Sequence, residues 1–190
     1  MSEEKKQVFS VKGIVFIGVF AAVTAVLAQI AIPTPWGISF TMQTLAVALA
    51  GFCLGRWKGT LSIFVYILLG IIGVPVFTGL NAGIAAITGP TGGYIWGFLF
   101  LGFACGMVDV VKHKWLAILF GLVGLVICYV CGTFQFALIS GRSFIEAMML
   151  AVVPYIVKDV ASIAVAYGLS IPIRRAINLE GAAVKKKAEE

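Results

Sequence analysis

The chain has almost nothing with which to do acid–base or metal chemistry. Histidine occurs once, as His113 between two lysines, and Asp and Glu together number eight in 190 residues. No H-E-x-x-H sets two imidazoles on one helix face for zinc, and no nucleophile stands beside a base in sequence. The phosphate-cradling pattern G-x-x-x-x-G-K-[ST] is missing too. "TGPTGGY" at 88–94 has glycines but lacks the lysine and hydroxyl that hold phosphate and magnesium. The sequence therefore reads as neither an enzyme nor an ATPase, with no cofactor and no metal.

Charge is the second scarcity. Only 12% of residues are charged, against about 25% in soluble domains. Hydrophobic residues make up 61%, more than a soluble fold can cover with polar surface. This composition predicts an integral membrane protein. The first apolar run, 14–32, is longer than the roughly 7–15 residues of a signal's apolar core and lacks a convincing cleavage site, so it reads as a retained helix.

What is there is a series of apolar runs. Spans are expected at about 14–32, 41–54, 60–72, 93–108, 115–139 and 152–173, with a polar tail over 174–190 that should fray. The fold class is an all-α bundle of six transmembrane helices forming one domain over 1–190. No internal repeat emerges. With six spans, Lys5, Lys6, Lys12, Arg56, Lys58, Lys112, Lys114, Arg174, Arg175, Lys185, Lys186 and Lys187 all fall on one side. Of the fourteen basic residues only Arg142 lies opposite, and Lys158 lies inside the last span. That asymmetry places both termini in the cytoplasm. It also assigns the net charge of +6 to topology rather than to nucleic-acid binding.

The outer segments are different. "AIPTPWGISF" and "GVPVFTGLNAGIAAITGPTGGY" carry no charge and are dense in Gly, Pro and aromatic residues. Irregular backbone at membrane depth is tolerated where it packs in protein or lines a cavity. A cavity near the outer face, roofed by these two loops, is the expectation. Lys158 and Asp159 are the charged pair expected deep in a span, where a charge usually faces an interior. Neighbouring helix positions diverge by about 100°, so the two are not expected to look into one pocket together. Asp159 should share a face with Tyr155 and Ser162. A structural ion pair is the plainer alternative.

Asn81, Gln43 and Thr91 offer hydrogen bonds beside the cavity, or else cap helix ends. Trp36 and Tyr94 suit a pocket wall, whereas Trp96, like Phe40 and Phe77 near the outer face, suits an interfacial aromatic belt. On the first span, Gly18 and Ala22, and Ala21 and Ala25, have the small-xxx-small spacing that admits a close helix neighbour, inside the bundle or outside it. Cys128 and Cys131 form a C-x-x-C, read either as free thiols packed as small hydrophobes or as the redox pair of a membrane thiol oxidoreductase. A self-sufficient carrier or channel for a small solute is the other competing class.

The stretches "FAAVTAVLAQI", "ISFTMQTLAVALAG", "VYILLGIIGVPVF", "GPTGGYIWGF" and "PYIVKD" together resemble the BioY family. Its members are the biotin-binding membrane subunits of energy-coupling-factor (ECF) transporters. The resemblance implies six helices in the prokaryotic plasma membrane and biotin bound beneath outer loops. It also implies two kinds of partner, a separate membrane-coupling subunit and ATPase subunits. Ala21 and Ala25 then match the A-x-x-x-A that docks on the coupling subunit, and Asp159 matches the family's sixth-helix acid. On that reading Asp159 accepts a ureido N–H, Asn81 and Gln43 complete the polar set, and Trp36 and Tyr94 pack on apolar parts. Lys158 is the candidate for the carboxylate tail. The family often has Lys three residues after its acid, where this chain has Ser162. Many relatives carry Arg where this chain has Pro90.

The topology is testable directly. A reporter fused after Glu190 should read as cytoplasmic and a cysteine label near Arg142 as external; a periplasmic or extracellular reporter would overturn the orientation.

Overall fold

Ser10 starts the first membrane helix, its hydroxyl accepting from the Gly13 amide at 3.1 Å. A computed structural model describes residues 10–35, 37–111 and 113–189, with the backbone alone for 114 and 178–189. Helix α1 (Val11–Ala28) buries Ile17, Phe20, Ala21, Thr24 and Ala28, a row at three- and four-residue spacing. Pro33 and Pro35 then prevent the helix from continuing. The chain instead folds a small outer hairpin, β1 (Ala31–Ile32) against β2 (Phe40–Thr41), pairing Ala31 with Thr41 and Ile32 with Phe40.

Helix α2 (Gln43–Ile71) contains both the second and third apolar runs. They are separated at Gly55, whose φ of 78° and ψ of 177° lie outside helical space. Such a conformation is open to glycine and strained for other residues. The break expected between the spans 41–54 and 60–72 is therefore reduced to a single non-helical residue. The two arms fold back on one another closely: a Cβ at Gly59 would stand 2.8 Å from both Ala50 O and Gly51 Cα.

Beyond α2 the outer segment forms a 3₁₀ turn at Thr78–Leu80 and a short helix, α3 (Ile84–Thr88). Helices α4 (Gly92–Gly106) and α5 (Lys114–Ser140) follow. Helix α6 (Phe144–Ala151) is opened by a capping box in which Ser143 and Glu146 satisfy each other's amides. A 3₁₀ turn, Val153–Tyr155, carries Pro154 and leads into α7 (Ile156–Glu189). The tail expected to fray thus continues the helix.

Five helices of the described residues are long and apolar enough to cross a membrane. The two arms of α2 bring the apolar segments to six. Outward positions such as Val126, Val130 and Phe134 are exposed and apolar, as a lipid-facing surface requires. Most of the core lies among α1, α2, α4, α5 and α7.

The ends of the bundle differ. At one end Lys12 Nζ donates to Ile177 O at 2.9 Å, tying the start of α1 to α7. Arg174 donates to Phe52 O at 2.8 Å and pairs with Asp109. The start of α1 and the 174–177 stretch of α7 therefore lie with the Gly55 reversal, at the face rich in basic residues. The hairpin and α3 lie at the other end.

The A-x-x-x-A row lies on the inner side of α1 in this packing. Ala21 is 1% exposed and belongs to the core, and Ala25 is half-buried against it. The pair faces the bundle interior because the same stripe of α1 buries Ile17, Phe20 and Thr24. Gly18 and Ala22 face outward among Ile14, Val15, Val19 and Val26.

Candidate functional site

The outer end encloses a cavity of about 390 Å³. Its walls come from the hairpin (Ile38, Thr41), the start of α2 (Gln43, Thr44) and α7 (Lys158, Asp159). Its cover is the 77–91 segment, with Phe77, Thr78, Asn81, Ala85 and Thr91. Phe98 and Leu125 line the apolar part. Asp159, Lys158, Asn81, Gln43, Tyr94 and Thr91 all line this one space. Trp36 lies outside the described residues.

Asp159 sits in the first turn of α7, nearer the helix end than the hydropathy pattern suggests. Unpaired amides and the helix dipole favour a negative charge there. Its side chain is 5% exposed, so the charge also needs partners. Lys158 Nζ stands 2.5 Å from Oδ1, and the Tyr129 hydroxyl donates to Oδ2 at 2.7 Å. The expectation that Lys158 and Asp159 diverge is corrected. Their Cβ atoms leave the helix in different directions, but the lysine's four-carbon stem brings its ammonium back onto the acid. The same ammonium donates to Thr41 O at 2.8 Å.

A second polar node surrounds Gln43. Its Nε2 donates to Tyr66 Oη at 2.8 Å, and its Oε1 accepts from Thr78 at 2.9 Å and Thr41 at 3.2 Å. Gln43 therefore joins the cover to α2 and has its carbonyl oxygen filled, leaving one amide N–H beyond these bonds. Asn81 Nδ2 donates to Thr78 O at 2.9 Å. Thr91 precedes α4 without making a side-chain cap bond, so its hydroxyl is not spent on capping. Tyr94 places its hydroxyl 3.4 Å from Thr133 Oγ1 and donates to Ala151 O at 3.3 Å, with its ring at the cavity wall. Trp96 is 39% exposed on the bundle exterior. Phe40 stacks on Tyr155 at 4.4 Å, and Phe77, 2% exposed, roofs the cavity rather than joining a surface belt.

Two glutamines hold the cover in place. Gln29, just past the end of α1, donates to Val76 O and Phe77 O at 3.1 Å each and accepts from the Leu80 amide at 3.0 Å. Leu80 has a φ of 59°, left-handed space that a leucine rarely adopts; the Gln29 contact fixes it. Gln135 of α5 donates to Ile87 O at 2.9 Å and Gly89 O at 2.8 Å, satisfying carbonyls at the end of α3.

Sequence reasoning missed Tyr129, Thr78, Thr41 and both glutamines. Tyr129 carried a weak signal, as a hydroxyl on the same helical face as Leu125 and Cys128 in an otherwise apolar run. Cys128 and Cys131 are free thiols. Cys128 is packed under Gly97, where a Cβ would come within 2.8 Å of its sulfur, so it serves as a small core residue.

A membrane helical bundle with a covered, hydrogen-bonding cavity at one end defines the class as a small-molecule-binding membrane protein. The chain belongs to the BioY family, whose model matches residues 2–179. It is 40% identical over 158 residues to the "Probable biotin transporter BioY" of Pyrococcus horikoshii, covering 82% of this chain and 91% of that protein. It is 33% identical over 159 residues to the "Biotin transporter BioY" of Thermotoga maritima, covering 83% and 93%. A crystal structure of the S-component for biotin from an ECF-type ABC transporter superposes with a TM-score of 0.75 at 24% identity, covering 93% of this chain and 94% of that one. That likeness establishes the fold.

The anchoring of the cover is testable without a ligand. Gln135→Met keeps the side chain's length and removes two N–H···O bonds of about 1 kcal/mol each. Amide hydrogen exchange over 84–94 should accelerate roughly thirtyfold while α1 and α7 keep their protection. Unchanged exchange over 84–94 would show that Gln135 does not hold the cover.

Proposed function

We propose that this chain is the biotin-binding membrane subunit of an ECF-type importer, presenting the vitamin to a separate coupling subunit and its ATPases. The observation that carries the reading is the oriented, buried Asp159 carboxylate facing an outer cavity of about 390 Å³. Pockets for small organic ligands run from about 300 Å³ upward. Biotin offers a compact bicyclic head with two ureido N–H donors and one carbonyl acceptor, and a thin tail ending in a carboxylate.

Asp159 retains lone pairs beyond those used by Lys158 and Tyr129, and one of these accepts a ureido N–H. The remaining N–H of Gln43 donates to the ureido carbonyl, and the Asn81 amide oxygen accepts from the second N–H. Phe98, Leu125 and the Tyr94 ring provide apolar surface for the fused rings. Thr91, on the cover's far side, adds a hydroxyl to the mouth. Lys158 works at this head end, as the counter-charge of Asp159. The binding machinery gathers at the outer end, while the cytoplasmic end is clasped by Arg174, Asp109 and Phe52 O. That division of labour supports release through a partner rather than through an open pore, and disfavours a self-sufficient channel. Cys128, buried and packed under Gly97, disfavours an oxidoreductase.

The coupling subunit needs a smooth apolar helix face. The outward row of α1 with Gly18 and Ala22 at its centre suits that contact, because small residues admit a second helix backbone.

Two outcomes follow. Asp159→Asn keeps the shape and removes the charge; loss of a charge-assisted hydrogen bond of about 1.5–3 kcal/mol should weaken biotin roughly 10- to 100-fold in equilibrium titration. Desthiobiotin, which keeps the ureido group, should weaken alike. Near-normal affinity in the folded variant would place the ureido contact elsewhere. Separately, Ala22→Trp should leave biotin affinity unchanged and abolish ATP-driven uptake in the assembled transporter, whereas Ala21→Trp should reduce the yield of folded protein by overpacking the core. Normal uptake by Ala22→Trp would rule out this face as the docking surface.

A further inference from the structure

Among the described residues, the cavity lining holds one carboxylate and one ammonium, Asp159 and Lys158. The ammonium is already committed. Lys158 Nζ lies 2.5 Å from Asp159 Oδ1 and 2.8 Å from Thr41 O. One N–H of the ammonium is given to Thr41 O, and its charge rests against Oδ1 as an ion pair. Lys158 therefore performs two tasks at the head end. It balances an acid whose side chain is 5% exposed, and it ties strand β2 to α7.

Moving Lys158 toward a ligand's tail would undo both tasks. It would leave a buried carboxylate without its counter-charge, a strongly unfavourable change, and it would release the hairpin that forms one wall. Around the rest of the lining, Ser39, Gly89, Pro90 and Thr91 carry no charge. Pro90 cannot even supply a backbone N–H. Among the described residues, the lining thus presents a net-neutral pair at the head and uncharged groups elsewhere.

Resting on the reading that the biotin head sits at Asp159, we propose that this site does not pair the tail carboxylate with a cation. Its substrate class is then the biotin head with either an ionised or a neutral tail end. Lys158 determines specificity at the head, by keeping the cavity neutral and so suited to an uncharged ureido ring. It is a positioning residue for Asp159 and for the hairpin, and the tail's terminal group is held by hydroxyls and water.

The test compares biotin with biotin amide, which differ only in the charge of the tail end, by equilibrium titration of the purified full-length chain. The two dissociation constants should agree within about fivefold, where a lost charge-assisted contact would separate them by roughly 10- to 100-fold. Lys158→Met should weaken both compounds by the same factor. A free-acid preference beyond about fivefold in the unmodified protein overturns the proposal, and disappearance of that preference in Lys158→Met would assign the tail carboxylate to Lys158. The comparison in the unmodified protein stands even if the variant does not fold. Binding of neither compound overturns the biotin reading itself and this proposal with it, an outcome distinct from binding of biotin alone.

Discussion

A carboxylate that is almost fully enclosed in a membrane bundle must find its partners inside the protein. Isolated buried charge costs several kcal/mol even after relaxation, and lipid offers no water to relieve it. Asp159 meets that constraint with the Lys158 ammonium and the Tyr129 hydroxyl, at the favourable dipole end of α7. Each partner fixes something else in turn. Lys158 reaches Thr41 O, and Tyr155, one turn earlier, donates to Ile38 O. The outer hairpin is therefore stapled at two points to the helix that carries the acid. Tyr129 brings α5 into the same arrangement. The outer half of the molecule is organised by the satisfaction of one charge.

The cavity around that charge exists because helices elsewhere come very close. Gly59 lets the arms of α2 fold back backbone to backbone, Gly51 admits the α4 backbone at Gly102, and Gly97 lets α4 lie on Cys128 of α5. Close packing below leaves the outer ends to be separated by polar side chains and by the cover. The cover is held at its two ends by Gln29 and Gln135 through main-chain groups. Bonds to carbonyl and amide groups do not depend on the cover's side chains. A segment built mainly of Gly, Ala and other small residues can thus be ordered without charge and without bulk.

Much of this was legible in the sequence, for a physical reason. Lipid and basic flanks impose a coarse, one-dimensional pattern, so the apolar segments and the polarity of their connections follow from hydropathy. The uncharged Gly- and Pro-rich connections likewise marked the covered end, and Asp159 stood out because charge in an apolar run is rare. What was not legible depends on side-chain reach and on which way an apolar helix turns. Helical angles fix where the Cβ of Lys158 points but not where its long stem ends, so the contact with Asp159 stood only as the alternative of a structural ion pair. Helix α1 is apolar on every side, so spacing alone could not tell the buried Ala21 row from the lipid-facing Gly18 and Ala22 row. Tyr129, Gln29 and Gln135 act through single long-range bonds, which leave no periodic trace. The one-residue reversal at Gly55 was hidden in a short stretch that reads equally well as an ordinary loop.

The central claim is that this outer cavity binds biotin as a discrete, saturable site. Isothermal titration of the purified full-length chain with biotin, in the absence of coupling subunit and ATPases, measures it most directly. The account predicts saturation at about one equivalent per chain with a dissociation constant around micromolar or tighter. Folded protein that takes up no biotin, or binds it only in company with its partners, would contradict it.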